Sequence, residues 1–219
     1  MAERDDRERA PLDRDAIVEA AIALADAEGI AALSMRKLAA SLGFEVMSLY
    51  NHIANKDELL AAMVDAVAAE VDELPSGLPP LEEARALAVA TRAAFVRHPW
   101  APDLWLRHMP GPARTDQMEH LLRVLAESGL SAENAHHGFH AVNNHVVGYT
   151  LQELGMALPP GDDTAVDARA REYLAGLSSE RHAHTIAHVH QHLAGDTSSS
   201  FELVLDLILD GLVRLDEER

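Results

Sequence analysis

The sequence predicts an all-α protein, on three observations. Apolar residues recur at three- and four-residue spacing from one segment to the next, and no stretch sustains the period of two that a half-buried strand requires. The breaks between segments carry Gly, Pro or helix-capping residues. At 219 residues and 48% hydrophobic content, the chain is long enough to bury one large core or two small ones.

Residues 1–11 alternate in charge with no apolar face, so a disordered arm is expected there. Asp13 is placed to cap a first helix in which Ile17, Ala20, Ala21 and Leu24 share a face, and Leu12 with Ile17 has the spacing of a hydrophobic staple. Gly29 stops that helix. Ser34 repeats the device with Leu33 and Leu38, opening a helix of about two turns that Gly43 interrupts. A third short helix is expected over 45–53. Asn55, at capping-box spacing from Glu58, opens a fourth with Leu59, Leu60, Met63, Val64 and Val67 on its apolar face, running to 73.

The run "PSGLPP" (75–80) marks the best domain boundary, separating a domain over 12–74 from one over 81–219. Further helices are expected over 81–97, 101–107, 113–128, 132–156, 167–176, 179–193 and 201–216. The runs "ALPPGDDTAVD" (157–167) and "GDTSSS" (195–200) read as loops.

Composition narrows the function. With no cysteine, neither a disulfide framework nor a thiolate site is available, which suits the cytoplasm. The charged N-terminus and the absence of an apolar run near the roughly 20 residues that span a bilayer argue against export or insertion. A net charge of -18 argues against non-specific affinity for nucleic acid. Residues 1–75 hold seven Lys and Arg against sixteen Asp and Glu, yet the stretch Leu33–Leu59 holds three of each. A DNA contact there has to be local.

Two short helices joined across a glycine, behind a longer brace, have the organisation of a helix-turn-helix, although periodicity alone does not separate it from any small helical bundle. On the second of them Leu49 and Ile53 suit the core. Val46, Met47, Ser48, Asn51 and His52 are left for other faces, where Ser and Asn can bond bases and Val and Met can meet thymine methyls. Ser34 with Arg36, and Lys56 at the start of the fourth helix, suit phosphates. Glu45 reads as a cap or as a source of repulsion rather than as a reader of a cytosine.

The stretch "LSMRKLAASLGFEVMSLYNHIANKDELL" resembles the DNA-binding signature of the TetR family of bacterial one-component regulators, with the match running from Leu12 to Val71. Its most specific piece is Leu-Tyr-x-His-(apolar)-x-Asn-Lys, from Leu49 to Lys56. The resemblance implies that Tyr50, His52 and Lys56 touch or orient the DNA backbone, that Arg36 reaches a base or phosphate, and that Val46, Met47 and Ser48 face base edges. A dimeric repressor on a palindromic operator is the expected function.

The last helix, "FELVLDLILDGLVRL", is apolar around most of its circumference, apart from a stripe of Glu202, Asp206 and Asp210. It needs cover on two sides, from its own domain and either from a second copy or from further chain of a monomer. Phe201, Val204, Leu205, Ile208 and Leu212 are the candidate dimer face. The segment Gly129–Gly155 is similar to the corresponding helix of the tetracycline-repressor subgroup, which implies that it joins the last helix in a dimeric four-helix bundle bordering a ligand pocket. That resemblance breaks at the drug site: the position of the subgroup's magnesium-ligating His is Trp105, and that of the supporting acid is Gln152. The expected inducer is therefore a small apolar or aromatic molecule, met by Trp100, Trp105, His108, Met109, Met118, His140, Asn144, Tyr149 and Gln152. Phe139, Asn143 and His145 extend the same walls and anchors.

Five of the thirteen histidines fall in "RHAHTIAHVHQHL", where His184, His188 and His192 share a helical face, and His136, His137 and His140 form a second group. Such spacing suits a regulatory metal or plain solvent exposure. There is no His-Glu-x-x-His, phosphate loop or Gly-x-Ser-x-Gly elbow, so neither catalytic residues nor a cofactor nor a resident metal is expected. The alternative reading is a helical ligand-binding or metal-responsive protein with little DNA affinity, favoured by Glu45 and the acidic charge.

Overall fold

A computed structural model describes residues 12–71, 75–156, 163–194 and 197–217; the arm expected over 1–11 lies outside them. Among the described residues there are eleven α-helices and no strand. The chain divides into two compact units, Met1–Leu74 with Ala93–His120, and Pro75–Arg92 with Leu121–Arg219.

The first unit contains α1 (Arg14–Glu28), a 3-10 turn (Ile30–Ala32), α2 (Met35–Leu42), α3 (Val46–Tyr50) and α4 (Lys56–Ala69). It also takes in the end of α5 (Pro80–Arg97), α6 (Ala101–Arg107) and the start of α7 (Pro112–Glu127). Its helices begin where local chemistry satisfies their first amides. The Asp13 carboxylate accepts from Ala16 N at 2.8 Å, Ser34 Oγ from Lys37 N at 3.2 Å and Asn55 Oδ1 from Glu58 N at 2.9 Å. Glu58 closes the Asn55 box by accepting from Ala54 N at 2.8 Å. Ile17, Leu38, Leu49, Leu59, Met63 and Val64 form the core, each essentially without exposure.

The second unit is built around α8 (Ala132–Met156) and α11 (Thr197–Glu217), with α9 (Asp163–Ala175) and α10 (Ala183–Ala194) between them in the chain. Val142, Val146, Phe201, Leu205 and Leu212 are buried there. A Cβ on Gly138 would lie 2.8 Å from Leu212, so the glycine is what lets α11 approach α8 so closely. Two of the three acids in the α11 stripe are paired: Arg85 Nε donates to Asp206 and its Nη2 to Glu202, both at 2.7 Å. These hydrogen bonds, Asp206 first, hold the Arg85 guanidinium above its ordinary range.

Several boundaries differ from the sequence expectation. α3 stops at Tyr50, and Asn51 and His52 follow it in a hydrogen-bonded turn that carries Ile53 into the core. α4 stops at Ala69, where Glu70 N and Val71 N tighten onto carbonyls three residues back. α9 begins at Asp163 and α11 at Thr197, inside stretches expected to be loops, since Asp, Thr and Ser suit a first helical turn as well as a loop. The rest of those runs, 157–162 and 195–196, is not among the described residues. α10 starts at Ala183, not at 179, because Ser178–His182 forms a closed turn. There Ser178 N donates to His182 Nδ1 at 3.0 Å, and Ser178 Oγ accepts from Arg181 N at 3.3 Å. No helix among the described residues is long and apolar enough to cross a membrane.

Candidate functional site

The α2–α3 pair is set by Gly43, whose φ of 73° reverses the chain while its N–H bonds back to Ala39 and Ala40. Burial of Leu49 and Ile53 then fixes the rotation of α3. Met47 is left 71% exposed, Tyr50, Asn51 and His52 are exposed, and Val46 and Ser48 are half-buried. Ser34 and Arg36 are exposed at the start of α2. Lys56 Nζ donates to Leu33 O at 2.6 Å, so the two groups read separately as phosphate sites, Ser34 and Lys56, stand side by side.

The cations of this stretch are unequally available. Lys37 pairs with Glu28, and Arg14 lies 3.6 Å from Glu58. Among the described residues Arg36 carries no ion pair. Glu45 holds the N-cap position of α3, but its side chain makes no hydrogen bond to the helix, which corrects the expectation of a capping side chain.

A second set of contacts joins α4 to the segment after α5. His98 is buried, with Nδ1 2.9 Å from Asp26 on α1 and Nε2 3.0 Å from Glu70 at the end of α4. Trp100 Nε1 donates to Asp26 at 2.6 Å and Arg97 to Glu70 at 2.8 Å. Asp65 on α4 caps α7 from outside, accepting from Ala113 N at 3.2 Å and Arg114 N at 2.9 Å. Buried Arg114 lies 4.2 Å over the Trp105 ring and donates to the carbonyls of Trp105 and His108, the last positions around the end of α6. Burial pushes its guanidinium below the ordinary range, and nearby Asp65 opposes that shift. None of these residues except the tryptophans and His108 was singled out from sequence. Apart from the carbonyls that Arg114 bonds, 6 and 9 positions back, their partners lie 27 to 74 positions away, so no local spacing betrays them.

Gly111 is required by that cap. A Cβ there would sit 2.5 Å from the Asp65 carboxyl carbon. Gly111→Ala is expected to destabilise the first unit by about 1–3 kcal/mol, read from thermal unfolding. Asp65→Ala in the same chain should remove the clash and leave the smaller loss of a helix cap, about 1 kcal/mol. A wild-type melting temperature for Gly111→Ala would contradict the close approach.

The nine residues read as ligand contacts are divided between the two units. Trp100, Trp105, His108, Met109 and Met118 belong to the first unit, and His140, Asn144, Tyr149 and Gln152 to the second. Trp100 and Trp105 are buried, and Trp105 meets Phe95 edge-on at 5.0 Å. His108 bonds Leu104 O and Asp57. Met118 is half-buried, while Met109, His140, Asn144 and Gln152 are exposed. Trp105 has no lone pair to offer a cation and has a guanidinium above it, so the residues present do not fit a magnesium site. Tyr149 sits in a cluster the sequence did not suggest: His145 stacks on Phe201 at 4.7 Å, and Arg92 lies over Phe201 and Tyr149. Arg92 is itself held by both Glu153 oxygens at 2.7 Å.

On α11 the candidate dimer face needs correction. Phe201, Leu205 and Leu212 are buried inside their own unit, where Phe201 carries the His145 stack and Leu212 fills the space at Gly138. Leu203, Val204, Leu207 and Leu215 are the exposed apolar residues, with Ile208 half-buried between the two sets. Among the described residues no three His, Asp or Glu side chains gather as a metal site. His136 and His140 stack edge-on at 4.6 Å but remain exposed, as do His184 and His188. The side chain of His192 is outside the description.

Two family models match the chain. One, described as "Bacterial regulatory proteins, tetR family", covers residues 17–63, and the other, "Tetracyclin repressor-like, C-terminal domain", covers residues 81–215. The HTH-type transcriptional repressor DrrR1 of Streptomyces coeruleorubidus is 37% identical over 144 residues, 64% of this chain and 53% of that protein. The chain therefore spans about half of that relative's length. Tetracycline repressor protein class D from Escherichia coli is 31% identical over 181 residues, covering 78% of this chain and 82% of that protein. Among solved structures, apo ActR from Streptomyces coelicolor aligns with a TM-score of 0.81 and 31% identity, over 95% of this chain and 98% of that one. The same protein in complex with actinorhodin aligns at 0.78 with 32% identity, over 94% and 98%.

Proposed function

We propose a repressor's cycle for this chain, which belongs to the TetR family of bacterial regulators: a cytoplasmic homodimer holds a palindromic operator until a small apolar or aromatic inducer releases it. Residues 12–74 form the DNA-binding domain and residues 81–219 the ligand-binding and dimerisation domain. The observation that carries the reading is the rotation of α3, with Leu49 and Ile53 buried and Met47, Tyr50, Asn51 and His52 left in solvent. Val46, Met47, Ser48 and Asn51 meet base edges. Ser34, Arg36, Tyr50, His52 and Lys56 meet or orient the backbone.

Release follows from linkage. An inducer that binds better to the conformer with its two recognition helices wrongly spaced must lower operator affinity by the same differential. The relative ActR is known with actinorhodin bound, which supports an aromatic inducer here.

Selection of bound sequences from a random duplex pool at near-physiological salt tests the reading. An enriched palindrome is the expected result, and a pool with no enrichment would sink it. Lys56→Ala should weaken binding to every sequence and lower the slope of log affinity against log salt by about one. An unchanged slope would remove Lys56 from the phosphate contacts.

A further inference from the structure

We propose that Glu45 is a specificity-determining residue, its carboxylate accepting a hydrogen bond from the exocyclic amino group of a cytosine in each operator half-site. The proposal rests on the operator-binding reading above. Between Glu28 and Asp57 the sequence holds no other acid, so Glu45 is the one carboxylate of the helix-turn-helix itself. Acids at the borders of that stretch are engaged: Glu28 with Lys37, Asp57 with His108, and Glu58 with Ala54 N. Among the described residues Glu45 has no such use. Asp13, Ser34 and Asn55 cap their helices through the side chain, whereas Glu45 contributes only its carbonyl, which accepts from Ser48 N at 2.9 Å. Its carboxylate is exposed, two residues before the exposed side chain of Met47.

A carboxylate brought within roughly 8 Å of DNA phosphates is repelled at physiological ionic strength, whatever the sequence. The repulsion is offset where the group meets a donor, and the major groove offers donors at cytosine N4 and adenine N6 alone. Adenine N6 is flanked by its own N7 and by the O4 of the paired thymine, two acceptors that repel a carboxylate. Cytosine N4 has a C–H on one side and a single acceptor, the guanine O6, on the other. A carboxylate therefore favours cytosine.

Parallel selections with the wild type, Glu45→Ala and Glu45→Gln test this, with thermal unfolding as the check that the exposed substitutions leave the fold intact. The wild type should enrich cytosine at one fixed position in each half-site. Glu45→Ala should lose that preference, by roughly fivefold or more in the ratio of affinities for the matched and mismatched duplexes, with the other positions unchanged. Glu45→Gln should move the preference towards adenine, which a Gln amide can bond through N6 and N7. If Glu45→Ala keeps the wild-type base preferences and binds all duplexes more tightly, Glu45 only repels and the proposal is overturned. A wild type that enriches no sequence overturns the operator-binding reading, and this proposal with it.

Discussion

Leu207→Asp is expected to leave each protomer folded and to turn the dimer into monomers at micromolar concentration, with operator affinity falling by two orders of magnitude or more. Leu207 is 56% exposed on α11 and Leu203 60%, with Val204 and Leu215 beside them, so much of this apolar face is open in the protomer. An exposed apolar stripe on a helix whose opposite side is already buried is the mark of a surface awaiting a partner. Placing an unpaired carboxylate at the centre of such an interface costs several kcal/mol of association free energy, at roughly 1.4 kcal/mol per tenfold change. Two half-sites are held together only while the protomers are, so DNA affinity follows dimer affinity.

Sedimentation equilibrium reads the first effect, and titration of the selected duplex reads the second. Leu205→Ala separates interface from core. Leu205 is buried in its own unit, so its loss should lower unfolding free energy by about 2–5 kcal/mol. A Leu207→Asp protein that remains dimeric with wild-type affinity would exclude α11 as the interface.

How far the fold was legible in the sequence follows the range of the interactions that set it. Asp13, Ser34 and Asn55 cap helices through partners three residues away, and each of those starts was readable from spacing. The burial of Leu49 and Ile53 was also expected from their four-residue interval, although Ile53 reaches the core through the turn after α3 and not on the helix itself. The last helix was read as apolar all round, yet which of its leucines face inward depends on Gly138 of α8, more than sixty positions away. No pattern within α11 distinguishes Leu205 from Leu207 as core and surface. An aromatic residue in sequence looks the same whether it lines a pocket or packs, as Trp105 does, against Phe95 and Arg114. Asp65 illustrates the remaining gap: it lies mid-helix in α4 and looks like a solvated acid until the turn at Gly111 is brought against it.

His98→Ala should destabilise the first unit by about 2–4 kcal/mol. The imidazole is 10% exposed, with Nδ1 2.9 Å from Asp26 and Nε2 3.0 Å from Glu70. Removing it leaves Asp26 and Glu70 turned toward one cavity with like charge. A hydrogen bond to a charged group contributes about 1.5–3 kcal/mol, and the contacts of His98 with both carboxylates are lost together. The carboxylates are 31% and 36% exposed, so water recovers part of that, and Trp100 and Arg97 still hold one oxygen apiece. Both tryptophans of the chain, Trp100 and Trp105, belong to this unit, so their fluorescence during urea unfolding reports it directly. Adding Asp26→Asn to His98→Ala distinguishes charge from packing. If the orphaned carboxylates are what destabilises the variant, removing one charge should restore about 1 kcal/mol or more, whereas a cavity would be unmoved by it. A single variant that unfolds at the wild-type urea concentration would mean that His98 does not tie α1 to the end of α4.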